Sequence, residues 1–188
     1  MGRHRASYGE ARMAQDVLEV LDALGLPQVD LAGCSMGWVV SLIFAAQHPD
    51  RVHRLVVVGG VGAGVVELGG VDTRALPASG LAEALRAPDP GELGDELLRG
   101  FRAFAVSTGN DLLALAAQAD VVHASRIDLT CVAVPTLVVA GGQDPLAARP
   151  QVLADAVPGA RLQLVTGDHA TTFTDPRFRR GTAASLQA

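Results

Sequence analysis

The order of apolar runs and turns predicts an α/β protein with a mostly parallel sheet flanked by helices, and three features carry that prediction. Leu55-Val56-Val57-Val58 and Thr136-Leu137-Val138-Val139-Ala140 are apolar on both faces, as strands covered by helices on each side must be. Stretches with helical periodicity alternate with such strands, the pattern of parallel strands joined by right-handed crossovers. Gly33-Cys34-Ser35-Met36-Gly37 then joins a short strand directly to a helix.

The elements follow in order. Ser7 and Glu10 have the spacing of a capping box, and Met13, Val17, Val20, Leu21 and Leu24 repeat at helical intervals until Gly25 and Pro27 end the run. Val29 to Ala32 reads as a strand and Met36 to Gln47 as the helix after the turn. Pro49-Asp50 stops that helix, and Leu55 to Val58 is the next strand. The strand Thr136 to Ala140 is opened by Pro135 and closed by Gly141-Gly142. A helix over Gln151 to Val157 and a strand over Arg161 to Val165 complete the pattern. Between about 61 and 130 the chain is punctuated by glycine and proline, with helices expected at Leu81–Leu85, Leu93–Phe104 and Asp111–Val122. An excursion of this length between two strands reads as a helical cap of about 61–130 on a core made of 1–60 and 131–188, within a single domain.

Composition narrows the function classes. Of 188 residues 49% are hydrophobic, enough for a real core, and 15 basic against 20 acidic residues without a long run of one sign point to neither nucleic acid nor an anionic membrane. No apolar stretch reaches the ~20 residues that span a bilayer. The start lacks the apolar segment of a secretory signal, so the expectation is a cytoplasmic protein. Cys34 and Cys131 show no metal-ligand spacing and read as free thiols.

Chemistry concentrates at GCSMG, which matches G-x-S-x-G between a strand and a helix, the context of a nucleophile elbow. The sharp turn strains the central residue, and side chains at the flanking glycines are expected to collide with neighbouring elements. The helix behind Ser35 offers the free N–H of Met36 to a developing oxyanion. A serine hydroxyl needs a base oriented by a carboxylate. Asp144 follows one strand and His169 the next, so both fall at the carboxyl edge of the sheet with Ser35, where open parallel sheets bind ligands. Asp168 is the rival acid, but it adjoins His169 and points away from it. His48 and His53 flank the Pro49-Asp50 turn, His4 lies in the terminal segment, and His123 falls in the cap. Trp38, Leu42, Phe101, Phe104 and Leu112 are candidates for an apolar substrate pocket, each with a core role as the competing reading. Cys34 reads as a small packed residue.

GCSMG, HPDRVHRLVVVGG, VPTLVVAGGQD and GDH together resemble the successive landmarks of the α/β-hydrolase superfamily. The resemblance implies a reduced α/β-hydrolase fold, the triad Ser35, Asp144 and His169, and neither metal nor organic cofactor. It also implies hydrolysis of small carboxylic esters, lactones or carbon–carbon bonds; a degenerate homologue acting as a ligand- or partner-binding module is the alternative. MGRHRAS is similar to the loop that in relatives follows the fourth strand. On that alignment the preceding strands and the His-Gly oxyanion loop have no counterpart, and a second donor is first sought in Gly59 to Gly64. The strand Val29 to Ala32 is then expected at the sheet edge, which predicts a homodimer or higher self-association that covers it.

Overall fold

The computed structural model describes residues 7–67, 78–122 and 126–187. Its centre is a four-stranded, wholly parallel sheet in the order β1 (Val29–Cys34), β2 (Val52–Val58), β3 (Thr136–Gly141), β4 (Arg161–Val165). The helices are α1 (Glu10–Ala23), α2 (Met36–Gln47), α3 (Gly64–Glu67), α4 (Ala78–Arg86), α5 (Glu96–Ser107), α6 (Leu112–Ala119), α7 (Pro150–Ala156) and α8 (Pro176–Gln187).

The period of two in β2 and β3 divides the core. Leu55, Val57, Val138 and Ala140 pack on one face with residues of α1, α2 and α7, among them Ala14, Leu21, Val39, Phe44 and Leu153. Val56, Val58, Leu137, Val139 and Val165 face the other way, against Phe178 and Leu186 of α8 and the nearby Phe173. All six residues of β3 are buried, which explains its unbroken apolar sequence. Both outer strands are less covered. In β1, Asp30, Ala32 and Cys34 are exposed while Val29 and Leu31 pack against the α1/α2 side.

Helix α1 begins two residues later than a capping box on Ser7 requires. Gly9 is its N-cap and makes no side-chain cap bond, so Glu10 stands at the first helical position and not the third. Helix α8 was not anticipated from the sequence. The helices between β2 and β3 meet each other through Leu85, Ala105 and Ala116, and Arg86 of α4 holds Asp120 after α6 at 3.0 Å. Three Asp side chains fix this region: Asp89, Asp95 and Asp111 each accept backbone N–H bonds at a helix start. No helix among the described residues is long and apolar enough to cross a membrane.

Candidate active site

Every element of the site follows the carboxyl end of a strand. The parallel register pairs Cys34 with Val58, Val58 with Val139 and Gly141 with Val165, so the loops leaving β1, β2, β3 and β4 emerge at one edge. Ser35 comes one residue after β1, Gly60 two after β2, Asp144 three after β3, and His169 four after β4.

Ser35 adopts φ 51°, ψ −129°, a backbone conformation that a residue with a side chain holds only under constraint. Two constraints are visible. The Ser35 N–H donates to the Val58 carbonyl at 3.0 Å, and the Trp38 N–H donates to the Ser35 carbonyl at 3.0 Å as α2 begins. Gly33 is where the turn allows no Cβ: an added methyl would stand 2.7 Å from the carbonyl carbon of Gly37, and nearer still to its oxygen and to Ser41 Oγ. Gly37 differs from the expectation, since a Cβ there would meet nothing within 4 Å among the described residues. The crowding of the elbow is one-sided because the tight approach is between the end of β1 and the first turn of α2.

His169 Nε2 lies 3.0 Å from Ser35 Oγ, and His169 Nδ1 lies 3.0 Å from Asp144 Oδ2. The Asp144 side chain is 0% exposed. Its Oδ2 also accepts the Gly60 N–H at 2.8 Å, and its Oδ1 accepts the Leu146 N–H at 2.9 Å. Burial works to raise this carboxyl, but the bonds from His169, Gly60 and Leu146 and the attraction of a charged His169 outweigh it, so Asp144 titrates below its ordinary value. A carboxylate held ionised in this way accepts a proton-bearing Nδ1 and leaves Nε2 free to take the serine proton. Cys34 goes the other way: desolvation first, and the negative Asp144 second, push its thiol up. The adjacent sulfur is thereby kept protonated and a weak nucleophile.

The histidine loop is itself anchored. Gln143 Oε1 accepts the Gly167 N–H at 3.1 Å while the Gln143 N–H donates to the Gly167 carbonyl at 3.0 Å, clipping this loop to the one that carries Asp144. Gly167 has φ 112°, and a Cβ on it would lie 2.8 Å from the backbone of Thr171 and Thr172. Asp168 accepts from Ala170 N–H, Thr171 N–H and Thr171 Oγ1, a role inside its own loop. Asp175 accepts from both the N–H and the hydroxyl of Thr166 at 2.7 Å. Neither Gln143 nor Asp175 was singled out in the sequence; only the loop position of Gln143, between a strand and Asp144, marks it there.

The remaining predicted residues disperse. Met36 opens α2 beside Ser35, the position expected from the sequence to offer an oxyanion donor. Gly60 N–H, in the stretch considered for a second donor, is taken by Asp144, and Ala63 N–H by the Ala148 carbonyl. Trp38, 2% exposed, and Leu42 belong to the core packed around α2 and present almost no surface to a substrate. Phe101 and Leu112 pack into the contact of α4, α5 and α6, whereas Phe104 is 63% exposed on α5. His48 caps the end of α2 with its ring 5.2 Å from that of Phe44, and His53 faces Asp30 at 3.3 Å. His123 and His4 lie outside the described residues. Cys34 and Cys131 are free thiols. Among the described residues no group of three or more His, Cys, Asp or Glu side chains could hold a metal ion.

Comparison with known proteins agrees with this geometry. The family model described as the alpha/beta hydrolase fold matches residues 2–94. A 2-hydroxymuconate semialdehyde hydrolase of Pseudomonas putida is 42% identical over 66 residues, 35% of this chain and 24% of its own length. A 2-hydroxy-6-oxo-2,4-heptadienoate hydrolase, also of Pseudomonas putida, is 42% identical over 69 residues, 37% of this chain and 25% of its own. The match to these curated relatives thus spans about a quarter of their length. A solved hydrolase from Pseudomonas aeruginosa PA01 superposes with a TM-score of 0.72 at 26% identity, covering 96% of this chain and 72% of that one. An esterase from Exiguobacterium antarcticum superposes at 0.75 and 20% identity, covering 98% and 76%. With its parallel sheet, its Ser-bearing elbow and these likenesses, the chain belongs to the α/β-hydrolase fold superfamily.

Proposed function

We propose that the protein is a serine hydrolase that cleaves small carboxylic esters through an acyl-enzyme on Ser35. The observation that carries this reading is the unbroken relay from Ser35 Oγ to His169 to Asp144, with 3.0 Å at each contact. His169 Nε2 takes the hydroxyl proton as Ser35 Oγ attacks the ester carbonyl carbon. The carbonyl oxygen, now negative, turns toward the Met36 N–H. His169 then gives the proton to the departing alcohol oxygen as the carbon–oxygen bond breaks, leaving the acyl group on Ser35. Water, deprotonated by the same imidazole, releases the carboxylic acid and restores the serine. Asp144 keeps Nδ1 in its proton-bearing form and stabilises the imidazolium. None of these steps calls on a metal or an organic cofactor.

Labelling with a fluorophosphonate, followed by mass spectrometry of the modified peptide, tests the reading. A single adduct on Ser35, absent in Ser35→Ala, is the expected result; folded protein that resists labelling would favour a binding module without turnover.

A second reading, carbon–carbon bond hydrolysis by the same triad, is favoured by the names of the two Pseudomonas putida relatives, whose substrates contain no ester. Turnover of 2-hydroxymuconate semialdehyde against that of a p-nitrophenyl ester separates the two.

A further inference from the structure

The opposite edge of the sheet carries a cavity of about 310 Å³ that the proposed hydrolysis does not use. Its wall is built where strands begin: His53 and Arg54 at the start of β2, Thr136 at the start of β3 and Arg161 at the start of β4, with Ser185 of α8 closing the side. The parallel register brings these starts together for the same reason that it gathers the proposed triad at the other end.

The chemistry of the wall is that of an anion receptor. Two guanidinium groups and an imidazole meet there, and guanidinium groups bind phosphate or carboxylate with paired, charge-assisted bonds. Arg161 has no ion-pair partner among the described residues. Arg54 is held loosely, 3.8 Å from Asp30 on the neighbouring strand, and also touches His53 Nδ1 at 2.7 Å. Asp30 is the acidic side chain paired with this cluster, so two arginines stand against one carboxylate.

One hydroxyl adds a neutral donor. Thr136 is 3% exposed and gives its proton to the Val134 carbonyl at 2.9 Å, so it forms wall without donating to an anion. Ser185 is 5% exposed, and its hydroxyl has no hydrogen-bond partner among the described residues. The Ser185 hydroxyl lines the cavity and has its proton to give to an anion held there. A Cβ on Gly181 would overlap the end of the Gln163 side chain, so α8 runs close to β4 there.

We propose that this cavity binds a small dianion bearing a phosphate group or paired carboxylates, separately from the hydrolytic site. Inorganic phosphate and malonate are the probes, each titrated calorimetrically at constant ionic strength in chloride. Saturable binding of at least one of them is expected, at one per chain. Arg161→Gln, at an exposed position, should weaken it by about tenfold or more, the scale of one charge-assisted pair. Asp30→Asn should strengthen it by freeing Arg54. Ester turnover should be unchanged by Arg161→Gln. Binding of phosphate without malonate identifies a phosphoryl ligand, and binding of both a general dianion site. The proposal fails if neither probe binds with Kd below about 10 mM, or if Arg161→Gln leaves the affinity as it was. In that event the basic residues would serve the carbonyl end of α8, and Arg161→Gln would lower Tm without altering any binding.

Discussion

Replacing Asp144 by Asn tests the proposed relay at its least exposed member. The carboxylate accepts three bonds: Oδ2 takes His169 Nδ1–H and the Gly60 N–H, and Oδ1 takes the Leu146 N–H. An amide has one oxygen and cannot satisfy both sides. With its oxygen in place of Oδ2, it keeps His169 and Gly60 and faces its NH2 against the Leu146 N–H. With the oxygen in place of Oδ1, it keeps Leu146, confronts the Gly60 N–H with a donor, and donates to Nδ1, driving His169 into the tautomer that cannot accept the Ser35 proton. Each orientation thus keeps two bonds and strands one buried donor at about 1–3 kcal/mol, so the two are close in energy.

In the first orientation the imidazole tautomer survives, and the loss reduces to the missing negative charge. A carboxylate and an imidazolium about 4 Å apart at an effective dielectric constant near 20 attract by about 4 kcal/mol, equivalent to a loss of about 10³-fold. The flipped orientation would bring the loss to about 10⁴-fold, the effect of the same change in a protease whose tautomer is inverted. The expected kcat/KM of Asp144→Asn on a p-nitrophenyl ester is therefore lower by about 10³- to 10⁴-fold, with folding checked by circular dichroism. A loss smaller than tenfold would refute the role given to Asp144.

Three further outcomes follow from the packing and charge. Gly33→Ala drives a methyl into the first turn of α2 and should cost about 1–3 kcal/mol, which for a chain of this size lowers Tm by about 2–4 °C per kcal/mol, with ester turnover lost; Gly37→Ala, into open space, is the control and should stay near wild-type Tm. Asp175 is held well below the usual carboxylate range by Arg177 first and then by the hydroxyl and N–H of Thr166. Its stabilising effect is therefore complete above the ordinary carboxyl value of about 4 and declines as pH falls toward the folded one, so Asp175→Asn should lower Tm at neutral pH and flatten the acid limb of the Tm–pH profile. Strand β1 is an edge strand among the described residues, with Asp30, Ala32 and Cys34 exposed, and we expect a two-fold dimer across it. Sedimentation should find that dimer at micromolar concentration and a monomer for Ala32→Lys; a wild-type monomer throughout would remove the proposal.

How much of this was legible in the sequence depended on whether the signal was local. The run from Thr136 to Ala140, bracketed by Pro135 and Gly141, is apolar at every position because both faces are covered, and the strand is found at Thr136–Gly141. The start of β2 was hidden because His53 and Arg54 look like turn residues, yet Val52 and Arg54 pair with β1 on either side of a register shift at His53. Gly33 and Cys34 likewise extend β1 only through their partners Val57 and Val58. Helix α8 carries Gly181, three arginines and few apolar residues, and what holds it is the contact of Phe178 and Leu186 with the sheet, a tertiary effect that periodicity does not reveal. In the site, the adjacency of Asp168 to His169, which turns their side chains apart, selected Asp144 over Asp168. The donors on Asp144 were invisible, since Gly60 and Asp144 are 84 residues apart in the chain.

That distant donor gives the carboxylate a structural meaning beyond orienting an imidazole. Asp144 belongs to the loop after β3, accepts from Gly60 in the loop after β2, and reaches His169 in the loop after β4; His169 in turn reaches Ser35, after β1. One hydrogen-bonded chain therefore joins the loops after all four strands, running from β1 to β4, then to β3 and to β2, the last joining through its backbone. Gly60 can take part because its φ of 74° turns its N–H toward the carboxylate, while Gly59 at 73° turns the strand end away beforehand. A side chain at either glycine would approach His169, whose Cε1 lies 3.5 Å from the Cβ position of each. The glycine pair after β2 thus supplies the left-handed backbone that aims the Gly60 N–H at Asp144, and that N–H, once given to the carboxylate, is not left for an oxyanion.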